Sequence, residues 1–189
     1  MTRPPLILAS RSPQRRAILE QLGIAFEMLP VDVEETAAGD PVQVARTNAE
    51  AKARVAARLR PAATVLGVDT VVALDGEIYG KPADEAAACD TLRRLSGRTH
   101  EVVSGIALLV STNPQVAHEV TSVTFRALDD DLVRRYVKTG EWSGRAGGYA
   151  IQGRGALLVV RIMGDYLNVV GLPVAKLLDL ALSLMLREN

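Results

Sequence analysis

The segment from Val65 to Leu74 limits most strongly what this chain can fold into. It is apolar and rich in β-branched residues, as buried strands are, and it ends at Asp75-Gly76, a strong hairpin turn sequence. Glu77-Ile78-Tyr79 then supplies a return strand. Because strands joined by a two-residue turn run antiparallel, any sheet that contains this segment includes an antiparallel pair.

A second hairpin is predicted from the runs His100–Val110 and Val116–Phe125, which flank the turn sequence Thr112-Asn113-Pro114. Elsewhere, strand candidates alternate with helical patterns. The strand candidates lie at 6–9, 26–29 and 157–163, and the helical segments at 13–22, 41–59, 84–95, 129–138 and 173–186. Alternation combined with hairpins predicts an α/β fold with a mixed β-sheet flanked by helices, in a single domain over residues 1–189.

Composition excludes several classes of protein. The 22 Lys and Arg residues balance 22 Asp and Glu residues, which argues against a broad basic surface for nucleic acid. One cysteine and two histidines exclude a disulfide framework and disfavour a zinc site. Residues 1–5 lack a signal-peptide pattern, and the longest uncharged stretch contains the turn at Asn113-Pro114. We therefore expect a cytoplasmic protein without nucleic-acid or membrane partners.

The first candidate site lies where a predicted strand meets a helix, in Ser10-Arg11-Ser12-Pro13-Gln14-Arg15. Ser12 is a suitable N-cap and Pro13 a suitable first helical residue. Hydroxyls, backbone N–H groups and guanidinium groups at a helix N-terminus favour phosphate binding. The alternative is an ordinary capped helix with solvated arginines.

The second candidate is Asp69-Thr70, in the middle of the apolar strand. A carboxylate is costly to bury unless it is paired, bound to metal or open to a cleft. The alternative is an edge strand that places Asp69 in solvent. Asp69 is nevertheless the best candidate for a catalytic acid in the chain.

Other charged residues are candidates for the same site. Lys81 follows the first hairpin and is predicted to return toward Asp69, either as a surface ion pair or as part of a phosphate and metal site. Lys52 is the only lysine in a helix dominated by arginine. Glu35 or its neighbour Glu34 can supply a metal oxygen ligand, although acidic loops are often only solvated.

The glycine-rich segment Glu141–Gly153 predicts close approach of its backbone to another segment or to a ligand. Within it, Gln152 carries a donor and an acceptor and can read the edge of a nucleobase. Trp142 and Tyr149 can stack on a base or serve as packing partners. His100, which begins a strand after a turn, is expected to be a hydrogen-bonded structural residue rather than a base.

Together these blocks resemble the Maf family of nucleotide pyrophosphatases. They follow in order along nearly the whole chain: Leu8-Ala9-Ser10-Arg11-Ser12-Pro13 with Arg15, Ala51-Lys52-Ala53, Asp69-Thr70-Val71, Gly80-Lys81-Pro82, Leu95-Ser96-Gly97-Arg98-Thr99-His100, Ala146-Gly147-Gly148-Tyr149, Ile151-Gln152-Gly153 and Asn168-Val169-Val170-Gly171-Leu172-Pro173. Their number, order and spacing carry the resemblance.

The resemblance implies an enzyme that cleaves a nucleoside triphosphate between its α- and β-phosphates with the help of a divalent cation, Mg²⁺ or Mn²⁺. It also implies two lobes around a central cleft. On this sequence the family's catalytic positions fall on Asp69, Lys52 and Lys81, its phosphate-binding positions on Ser10, Ser12 and Arg15, and its metal positions on Asp69 and Glu35, with Glu34 as the alternative to Glu35.

Within the family the chain resembles the dTTP/UTP branch, which implies hydrolysis of dTTP and UTP, with modified pyrimidine nucleotides as further candidates, as house-cleaning of the nucleotide pool. The implied specificity positions are Thr70, Gln152 and Gln14, and Gln14 departs from the arginine usual in that branch. Two alternatives stay open: a 7-methyl-GTP or broader-range pyrophosphatase, and a non-catalytic nucleotide sensor linked to septum formation. The sequence also leaves a homodimer open.

Overall fold

The computed structural model describes residues 6–110 and 113–187, with side chains to residue 182. The strands are β1 Leu6–Leu8, β2 Phe26–Met28, β3 Thr64–Leu74, β4 Glu77–Tyr79, β5 Thr99–Val110, β6 Asn113–Phe125 and β7 Val159–Met163. The helices are α1 Pro13–Gln21, α2 Pro41–Leu59, α3 Glu85–Leu95, α4 Asp130–Val137, α5 Tyr166–Val170 and α6 Val174–Arg187, with 3-10 turns at Ala146–Gly148 and Gly153–Leu158. The N-terminal residues 1–5 and Thr112 of the second predicted turn lie outside the described residues.

The described strands form one sheet in the order β2-β1-β3-β5-β6-β7, with β4 beside β3. β1 is parallel to β2 and β3, whereas β4, β5, β6 and β7 join by antiparallel pairing. The mixed sheet and both predicted hairpins are therefore confirmed. The predicted position of the second turn is wrong, because Asn113 and Pro114 already belong to β6 and pair with Val110 and Leu109. At the first hairpin, Asp75 and Gly76 have φ of 52° and 80°, as the predicted two-residue turn requires.

A gap in pairing along one edge of β3 is the feature that makes room for a site. β1 pairs with Thr64–Leu66, and β4 pairs on the same side with Val72–Leu74. Between them Gly67–Val71 has a strand neighbour only on the β5 side, among the described strands. Asp69 is the central residue of this gap.

The buried side chains form separate clusters on the two sides of the gap. One contains Leu8, Leu19 and Leu66, close to β1 and α1. The largest contains Leu92 and Phe125, with other residues of α3, α4 and the far end of the sheet. This division gives the two lobes that the resemblance implied, with the gap between them.

Helix α2 lies against the sheet with almost no side-chain layer between them. A Cβ atom on Gly105 would stand 2.1 Å from the carbonyl oxygen of Ala45, and one on Gly67 would stand 2.2 Å from that of Ala49. Only glycine in the strands and alanine in the helix permit this approach. It places the α2 side chains directly over the gap in β3.

Helix α5 is not among the helical segments predicted from the sequence. The side chain of Asp165 accepts a hydrogen bond from the backbone N–H of Leu167 at 2.7 Å and so caps this short helix. Five helical residues give too little periodicity to be recognised in sequence. None of the helices in residues 6–110 and 113–187 is long and apolar enough to cross a membrane.

Candidate functional site

A cleft of about 710 Å³ opens along the gap in β3, within the size range of small-molecule sites. Its walls come from the β1–α1 loop, from β3, and from the two segments 80–81 and 143–146 of the second lobe. The cleft brings together nine of the residues predicted from sequence: Ser10, Ser12, Gln14, Arg15, Glu35, Lys52, Asp69, Thr70 and Lys81.

Asp69 is buried in this cleft on an interior strand, with its side chain 10% exposed. The edge-strand alternative therefore does not apply. One carboxylate oxygen accepts a hydrogen bond from Lys52 Nζ at 2.6 Å, and the other accepts one from Asn48 Nδ2 at 3.1 Å. Pairing with a cation and an amide offsets the cost of burying the charge.

Lys52 lies between two carboxylates. Its Nζ is 2.6 Å from Asp69 Oδ1 and 2.6 Å from Glu35 Oε1. Asn48, one turn earlier on α2, exchanges two hydrogen bonds of 2.9 Å with the backbone of Thr36 and so fixes the loop that carries Glu35. Asn48 was not predicted from the sequence. Its only signal is an amide on the otherwise alanine-rich buried face of α2, four residues before Lys52.

Asp69 and Glu35 are ligands of the type that Mg²⁺ and Mn²⁺ prefer, and in the structure Lys52 Nζ lies between them. Mg²⁺ is commonly held by one or two carboxylates and completed by phosphate oxygens. In the part of the chain that the structure describes, no three His, Cys, Asp or Glu side chains are grouped to hold a metal by themselves. Glu34 is exposed and does not line the cleft.

Arg15 is buried beneath the cleft and is already heavily bonded. Its Nε donates to the carbonyl of Gly171 at 2.8 Å, Nη1 donates to Ser10 Oγ at 3.1 Å and to the carbonyl of Val68 at 3.0 Å, and Nη2 donates to Thr70 Oγ1 at 3.0 Å. These bonds use four of the five guanidinium N–H groups. Arg15 therefore joins α1 to the adjoining β1–α1 loop, to β3 and to the Gly171 segment, and phosphate binding by it stays a prediction.

The positive charge of Arg15 is buried, and its nearest negative charges are the carboxylates of Asp69 and Glu35. Burial lowers the pKa of its guanidinium, and the carboxylates of Asp69 and Glu35 oppose that shift. The Val68 carbonyl that it bonds belongs to the gap in β3. Arg15 thus satisfies a backbone group that a neighbouring strand would otherwise bond.

The β1–α1 loop is ordered by its own hydroxyls. Ser12 Oγ caps α1 by accepting from Arg15 N at 3.4 Å, and Ser10 Oγ accepts from Ser12 N at 3.1 Å. Gln14 lies at the rim, where its Oε1 accepts from Ser12 Oγ at 3.2 Å. The predicted capped helix start is confirmed, and its polar groups face the cleft.

Of the remaining predicted residues, two line the cleft and one does not. Thr70 shares a 2.8 Å hydrogen bond with Ser104 on β5, a buried partner that sequence reasoning did not identify. Lys81 is exposed on the cleft wall opposite α1. Gln152 is exposed and is not among the cleft-lining residues, so a base-reading role for it stays a prediction.

Comparison with known proteins identifies the family. Residues 5–184 match the model of the Maf-like protein family. The chain belongs to the Maf-like family. Proteins named dTTP/UTP pyrophosphatase are similar to it along most of their length: that of Pelotomaculum thermopropionicum is 46% identical over 93% of this chain and 94% of its own, and that of Symbiobacterium thermophilum is 49% identical over 89% and 88%. The one from Pyrococcus furiosus is 44% identical over 93% of both chains.

A buried aromatic cluster supports one wall of the cleft in this Maf-like chain. His100 Nε2 lies 2.8 Å from the hydroxyl of Tyr149, a cleft-lining residue, and both rings pack edge-on against Phe125. Burial lowers the pKa of His100 to about 4. His100 Nδ1 has no hydrogen-bond partner among the described residues. Protonation of the ring would therefore place a positive charge in the core with one ring nitrogen left without a partner. His100 is thus a structural residue.

We expect this Maf-like protein to lose stability as the pH falls from 6.5 toward 4. The folded pKa of His100 is depressed to about 4, so the unfolded chain binds a proton first, and the loss is on the order of 3 kcal/mol. The measurement is chemical unfolding from pH 7.5 to 4. The His100→Gln variant should show a flatter pH dependence than the unchanged protein, whereas His118→Gln, altered at a half-buried histidine of β6, should not. Equal slopes for the unchanged protein and His100→Gln would contradict the assignment.

Proposed function

We propose that this chain hydrolyses dTTP and UTP to the monophosphate and pyrophosphate, with modified pyrimidine nucleotides as further substrates, and so removes unwanted nucleotides from the pool. The observation that carries the proposal is the Asp69–Lys52–Glu35 cluster in a nucleotide-sized cleft, where the side chains of Asp69 and Lys52 are only 10% and 12% exposed. The names of the relatives support the choice of substrate. Nucleoside triphosphates belong to the free pool, which supports a cytoplasmic location.

In the proposed reaction water attacks the α-phosphorus in line with the bridging oxygen. A new P–O bond forms, the bond between the α-phosphorus and the bridging oxygen breaks, and pyrophosphate leaves. Asp69 accepts the proton of the attacking water, because it is the carboxylate at the centre of the cleft. Lys52 holds Asp69 in place and contributes positive charge near the phosphates.

A divalent cation held by Asp69 and Glu35 would neutralise charge on the phosphate oxygens and acidify the attacking water. The chain's own residues supply the rest. The hydroxyl groups of Ser10 and Ser12 and the N-terminus of α1 lie on one side of the cleft. Lys81 presents an ammonium group on the other.

Specificity for pyrimidines is proposed to come from Thr70, Gln14 and Gln152. Gln14 lies at the cleft rim, and Thr70 is fixed by Arg15 and Ser104. An exposed Gln152 reaches a base only if the base extends toward the glycine-rich segment. The Gln152→Glu variant tests whether Gln152 reads the base. A neutral amide can pair with the amide-like edge of uracil, whereas a carboxylate cannot donate to it, so this variant should use dTTP and UTP less well if Gln152 contacts the base.

The test is release of pyrophosphate from dTTP, UTP, CTP, 7-methyl-GTP and modified pyrimidine triphosphates, with and without Mg²⁺ or Mn²⁺. We expect cation-dependent release concentrated on dTTP and UTP. Release from 7-methyl-GTP instead would retain the reaction and contradict the specificity. Binding of the nucleotides without any release would contradict the enzyme and favour a sensor. The oligomeric state, including a homodimer, is read from light scattering on the same sample.

A further inference from the structure

Arg145 lines the cleft and forms no ion pair with the residues that the structure describes. Its Nε is buried and has no hydrogen-bond partner among the described residues. Burial lowers the pKa of its guanidinium group, and Tyr136 and Glu141 oppose that shift. A buried donor left unpaired is costly, and its presence calls for an explanation such as a bound ligand.

The backbone that carries Arg145 is firmly attached to the segment that carries Lys81. Gly147 N donates to the carbonyl of Gly80 at 3.0 Å, and Gly148 N donates to the carbonyl of Arg145 at 3.1 Å. Gly147 lies so close to β3 that a Cβ atom on it would stand 2.9 Å from the methyl groups of Val72. Arg145 and Lys81 therefore occupy one rigid wall of the cleft.

The cations of the opposite wall are largely committed to protein groups. Lys52 is bonded to two carboxylates, and Arg15 has used four of its five N–H groups. Lys81 and Arg145 have no ion pair in residues 6–110 and 113–187. Free positive charge in the cleft is thus concentrated on the wall of the second lobe.

We propose that Arg145, together with Lys81, binds the β- and γ-phosphates of the triphosphate, the part that leaves as pyrophosphate. A guanidinium group presents its N–H donors in a fork that matches two phosphate oxygens, and Lys81 adds a point charge beside it. The α-phosphate and nucleoside then lie toward Asp69 and the β1–α1 loop. The inference rests on the proposed function, because it assigns a role within the same cleft.

The experiment measures binding of inorganic pyrophosphate and of UMP by calorimetry in the presence of Mg²⁺, for the unchanged protein and for Arg145→Gln and Arg145→Lys. We expect Arg145→Gln to weaken pyrophosphate binding about 10–100-fold, the scale of charge-assisted hydrogen bonds. Arg145→Lys retains the charge and loses the fork, so it should be intermediate. Binding of UMP should be unchanged in both variants. Arg154→Gln, which removes an exposed arginine outside the cleft lining, is the matched control.

The outcomes separate this inference from the proposed function. Unchanged pyrophosphate affinity in Arg145→Gln would overturn the inference even if the unchanged protein hydrolyses UTP. Equal weakening of pyrophosphate and UMP would also overturn it, since Arg145 would then act on the cleft as a whole. The unchanged protein could also bind pyrophosphate through Arg145 and yet hydrolyse no triphosphate. That result would support the inference and refute the proposed function. Melting temperatures report whether each variant is folded. If Arg145→Gln is unfolded, the pyrophosphate affinity of Arg145→Lys decides the question.

Discussion

The Asp69→Asn variant is expected to release pyrophosphate from UTP at least about 100-fold more slowly than the unchanged protein, the scale of a lost general base. Asparagine has nearly the same volume but cannot accept a proton at neutral pH. It also presents an NH₂ group where Lys52 Nζ and Asn48 Nδ2 both donate, so the hydrogen bonds around position 69 are mismatched. Some loss of stability, about 1–3 kcal/mol, accompanies the loss of rate.

The control is Asp75→Asn, in the turn at the end of the same strand. Asp75 has φ of 52°, a conformation that asparagine adopts readily, and its carboxylate pairs with Arg98 at the surface. Steady-state kinetics should show normal turnover for this variant. Circular dichroism on both proteins distinguishes lost chemistry from lost fold. Near-normal turnover by folded Asp69→Asn would remove Asp69 from the central role.

The Gly105→Ala variant is expected to be strongly destabilised. The added methyl would stand 2.1 Å from the carbonyl oxygen of Ala45, far inside van der Waals contact, and that oxygen belongs to the backbone of α2. The helix must move away from the sheet. We expect a loss of about 3 kcal/mol or more in the free energy of unfolding. Thermal melting should show it as a fall of roughly 6–12 °C.

Movement of α2 also has a functional cost. Asn48 and Lys52 reach Asp69 only because the helix backbone lies so close to β3 and β5. Gly105→Ala should therefore lose turnover even at temperatures where it is folded. Gly80→Ala is the control for stability, because nothing lies within 4 Å of the added methyl and the backbone is not strained. Equal melting temperatures for the two variants would contradict this account of the packing.

Local patterns allowed much of the fold and the site to be predicted from the sequence. Ser12-Pro13 marked the start of α1, Asp75-Gly76 marked the first hairpin, and Asp69 stood out because a charge interrupted an apolar strand. In each case the signal lies within a few residues of the feature. The mixed character of the sheet followed from the two hairpins, and the family followed from these blocks taken together.

What could not be predicted depends on contacts between distant segments. The gap in β3 arises because β1 and β4 each pair with only three of its residues, a consequence of where both strands stop. Asn48 contacts Asp69 across 21 positions of sequence, through the register of α2 on the sheet. Gln152 lies in a recognisable motif, but the path of the glycine-rich segment decides its exposure. No local pattern encodes these arrangements.

The hydrogen bonds of Arg15 have a consequence for how the protein is made. Its Nε bonds the carbonyl of Gly171, which is 156 positions later in the chain. While the chain is being synthesised, this bond cannot form until residue 171 has been added. The cleft of a nascent chain is therefore incomplete until residue 171 has been added, and the β1–α1 loop reaches its final bonding only after all the described strands of the sheet have been made.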